Sequence, residues 1–145
     1  VKNYNPKMHT AEHILNQTMD RMFQCGRSFR AHIEKKKSKC DYKFSRMLTE
    51  KEIEEVEKQV NLIISKDLPV KTYFLDLEEA RKQVDTSKLP STAKDKIRIV
   101  KIGDYDQAAC IGEHVGSTRE IGKFKISSVS FDAGILRIRF KLEEE

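Results

Sequence analysis

Two short clusters at opposite ends of the chain carry most of the chemistry this sequence offers. The first is His9-Thr10-Ala11-Glu12-His13 and the second is Cys110-Ile111-Gly112-Glu113-His114. Each presents two metal-binding side chains spaced i, i+4. Together they supply three imidazole nitrogens and one sulfur, a donor set suited to tetrahedral Zn²⁺. Singly, each residue has a plainer reading. Two histidines one turn apart can be satisfied or exposed helix residues, and a lone cysteine is most simply a small buried hydrophobe. The conjunction points to a metal, because three of the chain's four histidines fall in the two clusters while His32, Cys25 and Cys40 stand apart. His9, His13, Cys110 and His114 are therefore expected to share one ion. His9 to His13 also fits the H-x-x-E-H pattern of one class of metallopeptidases, with Glu12 as general base. That alternative leaves Cys110 and His114 without a role and is short of chain for its architecture.

For the ligands to meet, the first cluster must sit on a rigid element and the second must return to it. Asn5-Pro6 reads as an N-cap followed by proline at the first helical position. Ala11, Ile14, Leu15, Met19, Met22 and Phe23 then recur at helical spacing, with Gly26 as the stop, so His9 and His13 lie on one side of a helix. Ser28 to Glu34 alternates, with Phe29, Ala31 and Ile33 on one face. Lys35 to Lys39 forms a turn, and Cys40, Tyr42 and Phe44 alternate on the return strand. Thr49 with Glu52 reads as a capping box for a second helix bearing Ile53, Val56, Val60, Ile63 and Ile64, ended by Asp67 to Pro69. Val70 to Leu75 is a strand. Asp76 with Glu79 is a further capping-box pattern before a short helix, Leu77 to Gln83, and Asp85 to Asp95 is a loop.

The last third is strand-rich. Ile97 to Ile102 alternates, Gly103-Asp104 is a turn, and Gln107 to Ile111 leads into the second cluster. Lys123 to Phe131 and Ile135 to Leu142 form a hairpin over Ala133-Gly134. Leu136, Ile138 and Phe140 face inward there, and Arg137, Arg139 and Lys141 face outward as on a charged edge strand. Helices covering a mostly antiparallel sheet make the expected fold class α+β. With no repeats and no dividing linker, residues 1–145 are expected to form a single domain.

Composition sets the remaining bounds. The chain is 38% apolar and 35% charged, and no apolar run approaches the roughly 18 residues of a membrane helix. No signal peptide is expected from the N-terminus. Three widely spaced cysteines argue against a disulfide framework and for a reducing, cytoplasmic setting. A net charge of +5 is a mild basic bias compatible with nucleic acid. The lysine run Lys35-Lys36-Lys37 is a solvated loop tip or a contact to a phosphate backbone.

With both clusters placed, the order of elements resembles the editing domain of alanyl-tRNA synthetases, their stand-alone relatives and the related second additional domain of threonyl-tRNA synthetases. That family carries H-x-x-x-H early and C-x-x-x-H late. His9-Thr10-Ala11-x-His13-Ile14-Leu15 resembles its H-T-A-x-H-L-L. Leu68-Pro69-Val70, Leu77-Glu78-Glu79-Ala80, Lys101-Ile102-Gly103-Asp104, Glu120-Ile121-Gly122-x-Phe124-Lys125-Ile126 and Gly134-Ile135-Leu136-Arg137-Ile138 resemble the segments that flank the two clusters. The resemblance implies zinc-dependent hydrolysis, in trans, of a tRNA charged with the wrong amino acid, typically seryl- or glycyl-tRNA for alanine. It also implies the tRNA acceptor end as partner. His32 falls where the family lines its amino-acid pocket, and Arg30, Lys35, Lys36 and Lys37 are candidates for contacting the acceptor end. A zinc-stabilised module that binds tRNA or a partner without turnover is the alternative. Two departures stand out. The family's C-G-G-T-H is Cys-Ile-Gly-Glu-His here, and Glu12 replaces a residue commonly apolar or small. Glu12 and Glu113 could each accept a hydrogen bond from the adjoining imidazole, act as a general base, or face solvent.

Overall fold

A computed structural model of the chain describes residues 5–86 and 96–143. Helix α1 (Pro6–Phe23) starts as its sequence dictates: the Asn5 side chain accepts from the Met8 amide and Pro6 opens the first turn. It ends earlier than the glycine suggests. Gln24 takes the left-handed capping conformation, with φ 52°, and its amide donates to the Asp20 carbonyl. Gly26 lies beyond the cap, its amide bonded to the Asp20 carboxylate at 2.9 Å. Helix α2 (Glu50–Ser65) has the full Thr49–Glu52 capping box. The short α3 (Leu77–Gln83) lacks the expected one. The Asp76 carboxylate is taken instead by Lys96 Nζ, 2.8 Å away across the strand pair.

The strands are β1 (Arg30–His32), β2 (Ser38–Lys43), β3 (Val70–Asp76), β4 (Lys96–Ile102), β5 (Asp106–Ala109), β6 (Lys123–Asp132) and β7 (Ile135–Glu143). They divide into two antiparallel sheets rather than one, β1-β2-β7-β6 and β3-β4-β5. The α+β class holds. Alternation along a strand reports its faces and not its partner, so the long-range pairing of β2 with β7, Cys40 opposite Ile138, was not legible locally. The expected loop Asp85 to Asp95 lies outside the described residues from 87 onward. No helix among the described residues is long and apolar enough to cross a membrane.

One core joins α1, α2 and the four-stranded sheet. Ala11, Ile14, Leu15 and Met19 pack with Val56, Val60, Ile63 and Ile64, and with Tyr42, Phe124, Leu136, Ile138 and Phe140 beneath. A smaller cluster seats Ala80 of α3 on Ile97 and Ile99 of β4. The outward row of β7 is not an edge, because β7 lies between β2 and β6. Its Arg137 grips the buried Asp41 of β2 with two hydrogen bonds, 2.7 and 2.9 Å, and Arg30 adds an ion pair at 2.6 Å. The Arg137 hydrogen bond, opposed by burial and helped by Arg30, holds Asp41 below its ordinary 3.8.

A carboxylate whose folded pKa is depressed contributes stability that is complete above the ordinary value and lost as pH falls through the folded one. Melting temperature measured against pH should therefore drop below pH 3.8. In Asp41→Asn it should already be lower at neutral pH, with a flatter acid limb. An unchanged acid limb in the variant would show that Asp41 does not carry it.

Candidate metal centre

Helix α1 presents His9 and His13 one turn apart, their rings 5.0 Å centre to centre. The β4–β5 hairpin carries the chain back across this face and releases it at Cys110. The loop that follows is pinned to β4. The Cys110 amide donates to the Arg98 carbonyl at 3.1 Å, and Arg98 Nη1 donates to the carbonyls of Cys110 and Gly112 at 2.9 and 2.8 Å. The His114 ring then stacks on His9 at 4.2 Å and meets His13 edge-on at 4.5 Å. One donor atom from each of His9, His13, Cys110 and His114 lies within 4.8 Å of all the others.

Close approach is what makes this possible. A Cβ at Gly112 would sit 2.5 Å from His9 Nδ1 and nearer still to Cε1, so any side chain there collides with the ring. Gly112 has no positive φ, and contact alone requires the glycine.

Each imidazole is held from behind. His9 Nδ1 lies 3.2 Å from the Glu113 carbonyl, which can only accept, so Nδ1 carries the proton. Thr10 Oγ1 donates to the Pro6 carbonyl at 3.0 Å and accepts the Val115 amide at 3.2 Å. Its single hydrogen is spent, so His114 Nδ1, 2.9 Å away, must donate to it. His13 Nδ1 faces Asp106 Oδ2 at 3.5 Å, an ion-pair contact too poorly aligned for a hydrogen bond. Asp106 is itself fully buried and held by Arg27, at 2.7 and 3.3 Å, and by Gln17, at 3.1 Å. Outer partners of this kind fix the tautomer and aim of metal-binding histidines.

The electrostatics match. Partial burial pushes the Cys110 thiol up, but the three imidazoles around Sγ overcome this and bring it from 9.0 to about 3. The thiolate is the metal-binding form. Burial works to lower His13, yet Asp106, Cys110 and Glu12 raise it from 6.5 to about 9. Burial lowers His114 to about 4 despite the pull of Cys110. His9 Nε2 points at Sγ, 3.3 Å away. His114 Nε2 is buried with no hydrogen-bond partner, although it stands close enough to Sγ to favour the thiolate. An unpartnered imidazole nitrogen beside a thiolate and two more imidazoles is a donor set compatible with zinc.

His9, His13 and Cys110 line one wall of a cavity of about 310 Å³ that also reaches Glu12, Asn16, Arg27 and Arg30. Glu12 is 9% exposed and does not face bulk solvent. Its Oε2 accepts from Asn16 Nδ2, and its Oε1 stands 3.8 Å and 4.0 Å from His9 Nε2 and His13 Nε2. The Glu113 side chain is exposed, and it is the backbone carbonyl of this residue that meets an imidazole. His32 is not among the residues that line the cavity, although its neighbours Arg30 and Ala31 are; it is exposed on the edge strand β1 and paired with Glu34 at 2.6 Å. Arg30 does border the cavity. Lys35 lines a separate recess beside Lys7 and Arg119, and Lys36 and Lys37 are exposed in the β1–β2 turn. Thr10, Asn16, Arg27 and Asp106 were not read from the sequence as site residues. Both Asn16 and Asp106 carried a signal: Asn16 lies one turn after Glu12 and His13 on the same buried helix face, and Asp106 is the polar residue in an inward slot of β5 beside Ala108.

Two substitutions test this arrangement. Gly112→Ala should push His9 off the cluster and lower both melting temperature and bound zinc, measured by calorimetry and metal analysis. Asp106→Asn should weaken zinc binding by about ten- to a hundredfold in a chelator competition, and unchanged affinity would mean that His13 needs no carboxylate behind it.

Residues 97–139 match the sequence model of the family described as threonyl and alanyl tRNA synthetase second additional domain. The chain is 35% identical over 134 residues, 91% of its length, to an alanine–tRNA ligase of Caldicellulosiruptor saccharolyticus. It is 34% identical over 141 residues to the Treponema denticola alanine–tRNA ligase, covering 93% of this chain, and 32% identical over 145 to that of Borreliella burgdorferi, covering 96%. It spans only 15%, 23% and 24% of those relatives' own lengths. The match over β4 to β7, which contains Cys110 and His114, together with relatives that align along nearly all of the chain, shows that it belongs to the family of the threonyl and alanyl tRNA synthetase second additional domain.

Proposed function

We propose that this chain is an aminoacyl-tRNA deacylase that acts as one editing domain and removes, in trans, an amino acid wrongly esterified to tRNA. Seryl- and glycyl-tRNA for alanine are the substrates of choice. The observation that carries this reading is the convergence of His9, His13, Cys110 and His114, the first three of which line an open cavity. The relatives are named as ligases of alanine and tRNA, which makes a tRNA ester the natural occupant of such a site.

His9, His13, Cys110 and His114 would hold the zinc, which when bound supplies Lewis acidity toward a carbonyl oxygen or water. The remaining work falls to the chain. Thr10, the Glu113 carbonyl and Asp106 keep the three rings in place, so no reorganisation is needed as substrate arrives. Ala108 and Ala109 line the cavity beside Cys110 and leave room for the acyl group. Arg30 borders the cavity and, sharing Asp41 with Arg137, would leave a net positive charge there to offset that of an RNA terminus. The exposed Lys35, Lys36 and Lys37 would meet the phosphates of the acceptor end, and the net charge of +5 favours a polyanion over the whole surface. Such a substrate places the protein in the cytoplasm with the tRNA pool.

The decisive experiment offers purified protein seryl-, glycyl- and alanyl-tRNA for alanine and reads zinc on the same sample. Hydrolysis of the seryl or glycyl ester in preference to the alanyl ester is expected, with about one zinc per chain. His9→Ala and Cys110→Ala should lose the metal and about a hundredfold or more of the activity. Zinc without hydrolysis of any ester, but with retained tRNA binding, would replace the enzyme with a non-catalytic module. Cleavage of peptides dependent on Glu12 would replace it with a metallopeptidase.

A further inference from the structure

We propose that Glu12 is the acceptor for the α-amino group of the acyl moiety, making the site selective for α-aminoacyl esters over esters that lack the amine. The inference rests on the deacylase reading and names what that site recognises.

Behind Glu12 stands a buried amide with no freedom to turn. Asn16 Oδ1 accepts from the Ser28 amide at 3.1 Å and from the Tyr42 hydroxyl at 2.7 Å. With its oxygen committed twice, Asn16 can present only its NH₂ to Glu12, and Nδ2 donates to Oε2. Asn16 and Tyr42 are themselves buried, so the carboxylate is clamped from one side and cannot turn away from the cavity.

The other oxygen is left facing the site. Oε1 is 3.8 Å from His9 Nε2 and 4.0 Å from His13 Nε2, beyond hydrogen-bond reach of both. Among the described residues no hydrogen bond reaches it. That oxygen opens into the cavity with no donor from the protein, and a ligand ammonium there would make a charge-assisted hydrogen bond to it. The cations bordering the cavity do not compete, because Arg27 is held by Asp106 and Arg30 by Asp41.

The spacing suits one chemical class. In an α-aminoacyl ester the amine nitrogen is two bonds, about 2.5 Å, from the ester carbon. An ester carbon presented to the histidine–cysteine cluster thus carries its amine into the range of an oxygen that stands about 4 Å from two cluster nitrogens. An acid or alcohol in place of the amine brings one donor at most, and no positive charge.

The test uses two hydrolysis-resistant probes on the zinc-loaded protein. They are 3′-amino-3′-deoxyadenosine amide-linked to serine, and the same nucleoside linked to glyceric acid, in which a hydroxyl replaces the amine. Calorimetry should find the seryl probe bound about ten- to a hundredfold more tightly. In Glu12→Gln that ratio should fall close to one, with zinc stoichiometry and circular dichroism unchanged. Glu12→Asp, which keeps the charge on a shorter arm, should retain part of the preference. Equal binding of both probes by the unsubstituted protein, a preserved ratio in Glu12→Gln, or loss of zinc from that variant would overturn the proposal. Matching hydrolysis assays separate the two readings. Equal kcat/KM for seryl- and glyceryl-tRNA refutes the amine acceptor and leaves the deacylase standing. Amine-selective binding without hydrolysis of any ester refutes the deacylase and leaves the acceptor.

Discussion

Everything about the site depends on how closely the loop 110–114 lies against the first turns of α1. Gly112 touches the His9 ring where no side chain fits. Thr10, between the two helical histidines, spends its hydroxyl on the start of its own helix and on both His114 and the Val115 amide. Arg98 holds the other end of the loop by two carbonyls. The two halves of the donor set are therefore bound to each other by ordinary hydrogen bonds as well as by any ion they share. A site organised in this way before its metal or substrate arrives loses little in reordering on binding.

Charge is buried here in matched sets. Asp106 has no exposed side-chain surface, and burial alone would raise its pKa, yet His13 and Arg27 bring it from 3.8 to about 2. Glu12 is balanced differently. One oxygen is held by an amide whose own orientation is settled by Ser28 and Tyr42, and the other looks into the cavity. Of the two carboxylates beside the cluster, one is saturated by the protein and the other retains capacity for a ligand. That difference follows from which groups each meets, and the residue types alone do not express it.

The frame that carries this chemistry is a common core of α1 and α2 on the sheet β1-β2-β7-β6. The three-stranded sheet β3-β4-β5 delivers Cys110 to it. Asp41 shows how the frame is tied across strands far apart in sequence, since it joins Arg30 of β1 to Arg137 of β7. The charged row on β7 thereby becomes an internal brace of the sheet, and β1 and β6 take the edges.

Local sequence determined a good deal. Helical period, the Asn5 cap and the Thr49–Glu52 box are interactions within a few residues, so both long helices and the face shared by His9 and His13 were legible without a fold. The four donors were legible too, because sulfur and imidazole at such spacing are uncommon and their chemistry is specific. Tertiary structure alone decided the rest. Nothing near Asp76 told that Lys96 would take its carboxylate from the α3 cap, and nothing local told that the exposed His32 would pair with Glu34. Only the packing of α1 against β5, the 110–114 loop and β2 revealed that Asp106 backs His13, that Glu113 contributes a carbonyl in place of its carboxylate, and that Glu12 is turned inward. Residue type and period record interactions over one or two turns of chain, whereas the environment of a buried polar group is made by segments a hundred residues away, and only their meeting sets what that group can do.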